Sequence, residues 1–191
     1  MKRRHVLLPA ACVTASCLLM TGSGMSVAKM EGRAPDFQAQ GVGPFLLKRP
    51  LRDAGADALR FDPAAAHVGP GCDARDQVTV QLTVAHRALS VMSMAGTDGR
   101  IEEIVAVPLG PLPKAGSAAA CEALGGDFAA SLRERLGPFE SAVHMQKPIS
   151  DEYSYRFAGG ARAVARWFGG GRTCDIALHF EAQPSATAAQ G

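Results

Sequence analysis

The sequence lacks the residue patterns by which many enzymes are recognised. It has no Cys-x-x-Cys pair, which disfavours a thiol-redox enzyme, and no serine after the N-terminal segment lies in a Gly-x-Ser-x-Gly turn. Four histidines beyond that segment have no second histidine or cysteine at the spacing of a zinc site: His67, His86, His144 and His179. We therefore predict no catalytic, metal-binding or cofactor-binding residues and no enzymatic activity.

Long apolar runs are also scarce, and the N-terminal one is too short for a membrane span of roughly 20 residues. It follows a basic stretch at 2–5, extends over 6–20, and precedes small residues at Ser26-Val27-Ala28. These are the three parts of a secretory signal, so we predict a signal peptide at 1–28 and a periplasmic or secreted protein. Thr14-Ala15-Ser16-Cys17 resembles a lipobox, which keeps a lipid anchor on Cys17 as an alternative.

An excess of basic residues is absent once the predicted signal peptide is set aside. The whole chain has 20 Lys and Arg against 18 Asp and Glu, and three of the basic residues lie at 2–4. Residues 29–191 then carry 17 basic and 18 acidic side chains. A nearly neutral domain lacks the positive surface that nucleic acids require, so nucleic-acid partners are not expected.

Three cysteines remain after residue 28: Cys72, Cys121 and Cys174. In an oxidising compartment we expect one disulfide and one leftover thiol. All three pairings are open from the sequence. We favour Cys121–Cys174, because it would tie the second predicted helix to the last predicted strand.

The period of the apolar residues changes along the chain in the same order twice. A helical pattern is followed by three stretches of alternating apolar residues, and Gly125-Gly126 is expected to break the second helix. We predict an α+β fold of two tandem helix-plus-three-stranded antiparallel sheet repeats, with the strands either in separate sheets or joined in one curved sheet. The predicted segments after the signal peptide are a linker at 29–41, repeats at 42–110 and 111–182, and a disordered tail at 183–191.

A family resemblance comes from Asp127–Phe139, DFAASLRERLGPF, followed by the aromatic strand YSYRF and two hairpin-linked strands. This order resembles the unit of the small outer-membrane-assembly lipoproteins. Two such units behind a signal peptide are similar to the architecture of β-lactamase inhibitor proteins. The resemblance implies binding of another protein through sheet and loops without catalysis. The cysteine positions and the proline-rich middle segment differ from that pattern, and no contact residue of those proteins matches here.

Alternation in the C-terminal strands predicts one outward face with polar and charged side chains: Arg156, Arg162, Arg166, His179 and Glu181. Arginine is enriched at protein-binding hot spots, so this face is a candidate partner surface, the alternative being an ordinary solvated sheet face. We therefore expect an exported, non-enzymatic protein-binding module of inhibitor, immunity or envelope-accessory type. The alternatives are a small extracytoplasmic hydrolase and an outer-membrane-maintenance lipoprotein.

Overall fold

A computed structural model describes residues 35–63 and 68–182. The predicted signal peptide, the candidate lipidation site Cys17, His67 and the predicted tail at 183–191 lie outside the described residues. Within those residues, no helix combines the length and the hydropathy that crossing a lipid bilayer demands.

The described residues form three helices and eleven strands. The helices are α1 (Leu51–Ala58), α2 (Ala118–Ser131) and α3 (Arg133–Leu136). Three short strands precede α1: β1 (Phe37–Gln38), β2 (Gly41–Val42) and β3 (Phe45–Leu46). Between α1 and α2 lie β4 (Gly69–Pro70), β5 (Asp76–Val84), β6 (Arg87–Ala95) and β7 (Ile101–Pro108). After α3 come β8 (Phe139–Lys147), β9 (Ser150–Phe157), β10 (Arg162–Phe168) and β11 (Thr173–Glu181).

Eight of these strands form one antiparallel sheet in the order β4-β5-β6-β7-β11-β10-β9-β8. The two halves of the chain meet where β7 pairs with β11, from Leu178 opposite Ala106 to Glu181 opposite Glu103. A separate sheet of three strands, β1-β2-β3, precedes α1. Of the two arrangements considered for the strands, the joined one is observed.

The predicted fold class is wrong. The protein is mostly β, with one large antiparallel sheet and one small sheet in place of two helix-plus-three-strand repeats. Each half supplies four strands to the large sheet, because β4 and β8 precede the three predicted in their halves, and the strands of β1–β3 were not predicted at all. The seam between β7 and β11 also gives both halves a common core, so neither half forms a layer of its own.

One face of the large sheet is covered by the helices and the small sheet. Gly55 of α1 lies against Val78, Gly125 of α2 lies against Ala165, and Gly43 beside the small sheet lies against Leu82. The alternating residues of β5 that point to this side are fully or almost fully buried: Val78, Val80, Leu82 and Val84. Burial of one strand face against helices explains the period of two seen in the sequence.

Helix α2 continues through Gly125-Gly126, contrary to the predicted break. It begins at Ser117, whose side chain accepts a hydrogen bond from the Ala120 N–H at 3.2 Å. A Cβ built at Gly125 would lie 2.4 Å from the Ala165 Cβ, so the glycine permits close packing of the helix on the sheet. Gly125 is present because the helix packs closely on the strand. Helix propensity alone wrongly predicts that the helix ends at these glycines.

The disulfide joins Cys121 in α2 to Cys174 in β11, which confirms the favoured pairing. Both residues are completely buried, whereas Cys72 is an exposed free thiol. The bond links residues 53 apart in sequence. In the chain-entropy account a loop of that length stabilises the fold by about 4 kcal/mol.

Candidate functional site

The side of the large sheet opposite the helices is termed the open face. In the described part of the chain it bears no helix, and cross-strand register shows which side chains share it. Arg156, Arg162 and His179 lie opposite one another on β9, β10 and β11. Arg166 and Glu181 follow at even spacing on β10 and β11. The structure therefore brings all five residues of the predicted partner surface to one face.

The arginines of the open face are largely compensated by carboxylates. Arg162 donates to Glu181 Oε1 at 2.8 Å, and Arg166 Nη2 donates to Glu152 Oε2 at 2.9 Å. Arg166 Nη1 also lies 3.9 Å from Asp175 Oδ2. Arg162 and Arg166 each have a negative neighbour, so this part of the face has little net charge to attract a strongly acidic or basic partner.

Glu152 forms a buried ionic centre on this face. Its side chain is 4% exposed and accepts hydrogen bonds from Lys147 Nζ at 2.6 Å and from the Arg166 guanidinium. Burial raises the pKa of the Glu152 carboxyl, but the hydrogen bonds from Lys147 and Arg166 outweigh it, so the pKa lies below its usual range. The carboxylate is therefore ionised at neutral pH and holds β8, β9 and β10 together on the open face.

A second cluster, here the carboxylate–histidine cluster, lies where β7 meets β11. Glu103, His179 and Glu181 place their donor atoms within 4.8 Å of one another. Arg75, just before β5, donates to Glu103 Oε2 at 3.1 Å. Sequence reasoning named His179 and Glu181 but missed Glu103. Adjacent strand residues such as Glu102 and Glu103 point to opposite faces, which is all that local spacing can show. The pairing of Glu103 with β11 joins residues that are far apart in the sequence.

Strand β8 is one edge of the large sheet within the described residues, and the two-residue strand β4 is the other. Val143 and Met145 point to the open face, opposite Ser154 and Glu152 of β9, and are 52% and 40% exposed. Exposed apolar side chains on an edge strand favour pairing with another extended segment. The sequence offered a weak signal in the spacing of Val143 and Met145, but an exposed strand has little of the apolar alternation that burial imposes.

A cleft of about 570 Å³ opens at the end of the sheet beside this edge. It is termed the hairpin cleft and lies between the β8–β9 turn at Pro148-Ile149 and the β10–β11 turn at 169–171. Ile149 at its rim is 79% exposed. Trp167 in its wall donates from Nε1 to the Ala115 carbonyl at 3.2 Å, which holds the indole in place. The cleft is large enough to admit a large side chain, and Trp167 gives it an aromatic wall.

His144 and Asp151 form a contact on the other side of the β8–β9 pair. The imidazole Nε2 lies 3.0 Å from Asp151 Oδ1, and the ring stacks on Tyr153 with centroids 4.7 Å apart. The contact orders a histidine on the surface of the protein.

Comparisons with known proteins give no relative. No protein-family model matches the chain, and neither the curated proteins nor the solved structures include a significant match. The resemblance to inhibitor proteins and assembly lipoproteins stays a prediction.

Proposed function

We propose that this chain is an exported, non-enzymatic protein-binding module that holds its partner along strand β8 and in the hairpin cleft. The observation that carries the proposal is the grouping of exposed apolar side chains there. Val143, Met145 and Ile149 are all at least 40% exposed within one strand and its turn. Apolar side chains grouped beside a cleft are typical of a binding surface, whereas scattered ones need no explanation.

The partner we propose is an extended segment of another protein that carries a large apolar side chain. The free edge of β8 offers backbone donors and acceptors for strand addition, and its side chains alternate across the two faces. The compensated charges of Arg166 and Glu152 beside it favour an apolar occupant over a strongly charged one. The hairpin cleft then accepts the apolar side chain as an anchor.

The compartment in this proposal is outside the cytoplasm. The buried Cys121–Cys174 disulfide supports an oxidising environment, since such bonds persist mainly in exported proteins. The inhibitor, immunity and envelope-accessory types all act by holding another protein, so the same surface serves each of them.

The test compares partner capture by the wild-type protein, Ile149→Asp and Leu112→Asp, using an envelope extract of the organism that makes it. Ile149 lines the hairpin cleft, whereas Leu112 is a 47% exposed leucine in the segment before α2. We expect the wild type and Leu112→Asp to retain one stoichiometric protein that Ile149→Asp loses. Titration calorimetry with that purified protein should show affinity at least tenfold weaker for Ile149→Asp.

Two results contradict the proposal. One is capture of the same protein by Ile149→Asp and by the wild type. The other is a homodimer of the wild type, measured by light scattering, that Met145→Lys dissociates, because the edge of β8 would then be occupied by a second copy. Matching circular dichroism spectra of the variants establish that each is folded.

A further inference from the structure

The carboxylate–histidine cluster has the chemistry of a metal site on the open face, separate from the hairpin cleft. Glu103 of β7 lies directly opposite Glu181 of β11, and His179 is two residues earlier on the same face of β11. One imidazole nitrogen and two carboxylate oxygens lie within 4.8 Å of one another. Mixed nitrogen and oxygen donors are the ligands of divalent transition metals.

The imidazole of His179 is uncommitted to other side chains. It makes no hydrogen bond to any residue that the structure describes, so a ring nitrogen is available for coordination.

The two carboxylates are held by arginines that leave one oxygen of each for coordination. Arg75 donates to Glu103 Oε2 at 3.1 Å, and Arg162 donates to Glu181 Oε1 at 2.8 Å. Hydrogen bonds of this kind orient ligating carboxylates in metal sites. The imidazole nitrogen of His179 favours Zn²⁺ over Ca²⁺ and Mg²⁺, which prefer ligand sets made of oxygen atoms alone.

The geometry points to a site for Zn²⁺ or a similar divalent transition metal, coordinated by Glu103, His179 and Glu181. Tetrahedral zinc with bonds of roughly 2.1 Å requires donor atoms about 3.4 Å apart. Coordination therefore requires the ligand atoms to move together by up to about 1.4 Å, through rotation of the glutamate side chains and the arginines bonded to them. Three protein ligands leave a fourth position open toward solvent on the open face.

Titration calorimetry with ZnCl₂ on the untagged, chelator-treated full-length mature protein tests this site. All samples carry Cys72→Ser, which removes the exposed free thiol as a competing ligand. We expect one Zn²⁺ per chain in this parent, and affinity at least tenfold weaker in His179→Gln and in Glu103→Gln. CaCl₂ should give no comparable binding.

The control is His144→Gln, the same substitution at an exposed histidine on β8. It should bind Zn²⁺ as the parent does. Absence of binding by the parent, equal binding by His179→Gln and His144→Gln, or equal affinity for Ca²⁺ would each overturn the proposal. A selective shift of the His179 ring signals in NMR on adding Zn²⁺ to the parent gives the same decision if the glutamate variant fails to fold.

Discussion

The carboxylate of Glu152 faces the open side of the sheet, yet its residue is only 3% exposed. Alternation in the sequence placed Glu152 on this face but gave no reason to expect its burial. Lys147 comes from the neighbouring edge strand and Arg166 from the strand on the other side. The three residues meet only because β8, β9 and β10 pair in register, so the network was not predictable from local pattern.

Replacing Glu152 by Gln should lower the free energy of unfolding by about 1–2 kcal/mol at pH 7, because the three hydrogen bonds from Lys147 and Arg166 lose the negative charge of their acceptor. The folded pKa of Glu152 is depressed, so its contribution is present above the unfolded value of about 4.3. It is lost as the pH falls through the folded pKa. Urea unfolding of both proteins at several pH values should show the difference shrinking in acid.

The control for this prediction is Glu140→Gln, at an exposed position on β8. It should change the free energy of unfolding by less than about 0.5 kcal/mol. A Glu152→Gln difference that persists unchanged at acidic pH would show that shape, not ionisation, is what the carboxylate contributes.

Helix α2 forms despite two adjacent residues of low helix propensity. Two adjacent glycines weaken a helix by roughly 1 kcal/mol each, which is why a break was predicted. Packing against the sheet overrides that preference, since Gly125 is buried against Ala165 and Tyr155. A Cβ added at Gly126, one residue later, would meet only the Tyr155 ring and hydroxyl at 3.5 Å or more.

Substitution of these two glycines by alanine should change the free energy of unfolding in opposite directions. Gly125→Ala should lower the free energy of unfolding by about 1–3 kcal/mol, because the new Cβ would lie 2.4 Å from the Ala165 Cβ. Gly126→Ala should raise it by about 0.5–1 kcal/mol through helix propensity. Denaturant unfolding of both variants and the wild type measures these changes. A higher free energy of unfolding for Gly125→Ala would refute the close contact between Gly125 and Ala165.

The strands differ in how clearly their sequences predicted them. β5, β6, β7, β9, β10 and β11 were all expected from their apolar residues and the turn residues between them, and β5 shows the clearest alternation of buried and exposed positions. The exposed edge strand β8 and the two-residue strands of the small sheet were not. A strand exposed on both sides, or only two residues long, leaves no period to detect.

In the molecule as a whole, a single core extends across the seam between β7 and β11. It includes Leu51 and Val80 from the first half and Tyr155 and Phe180 from the second. A tandem-repeat interpretation allows the halves to unfold separately, whereas one sheet with one core should unfold together.

We therefore predict a single cooperative unfolding transition. Fluorescence of Trp167, the sole tryptophan, reports on the second half, while far-UV circular dichroism reports on all strands. The two probes should give the same midpoint and the same denaturant dependence. Transitions that separate, with fluorescence changing independently of the remaining β signal, would contradict the shared core.

The sequence favoured the Cys121–Cys174 pairing without excluding the other two. Local sequence pattern was sufficient for most strands, for the existence of the first helix, and for the side chains that each C-terminal strand directs to the open face. These features depend on alternation, spacing and side-chain chemistry within one segment. The joining of the halves, the buried Glu152 network, the approach of Glu103 to His179 and the hairpin cleft depend on pairing between distant strands. The free energy of burying the whole core determines which strands pair. The local conformational preference of each segment contributes little to that free energy.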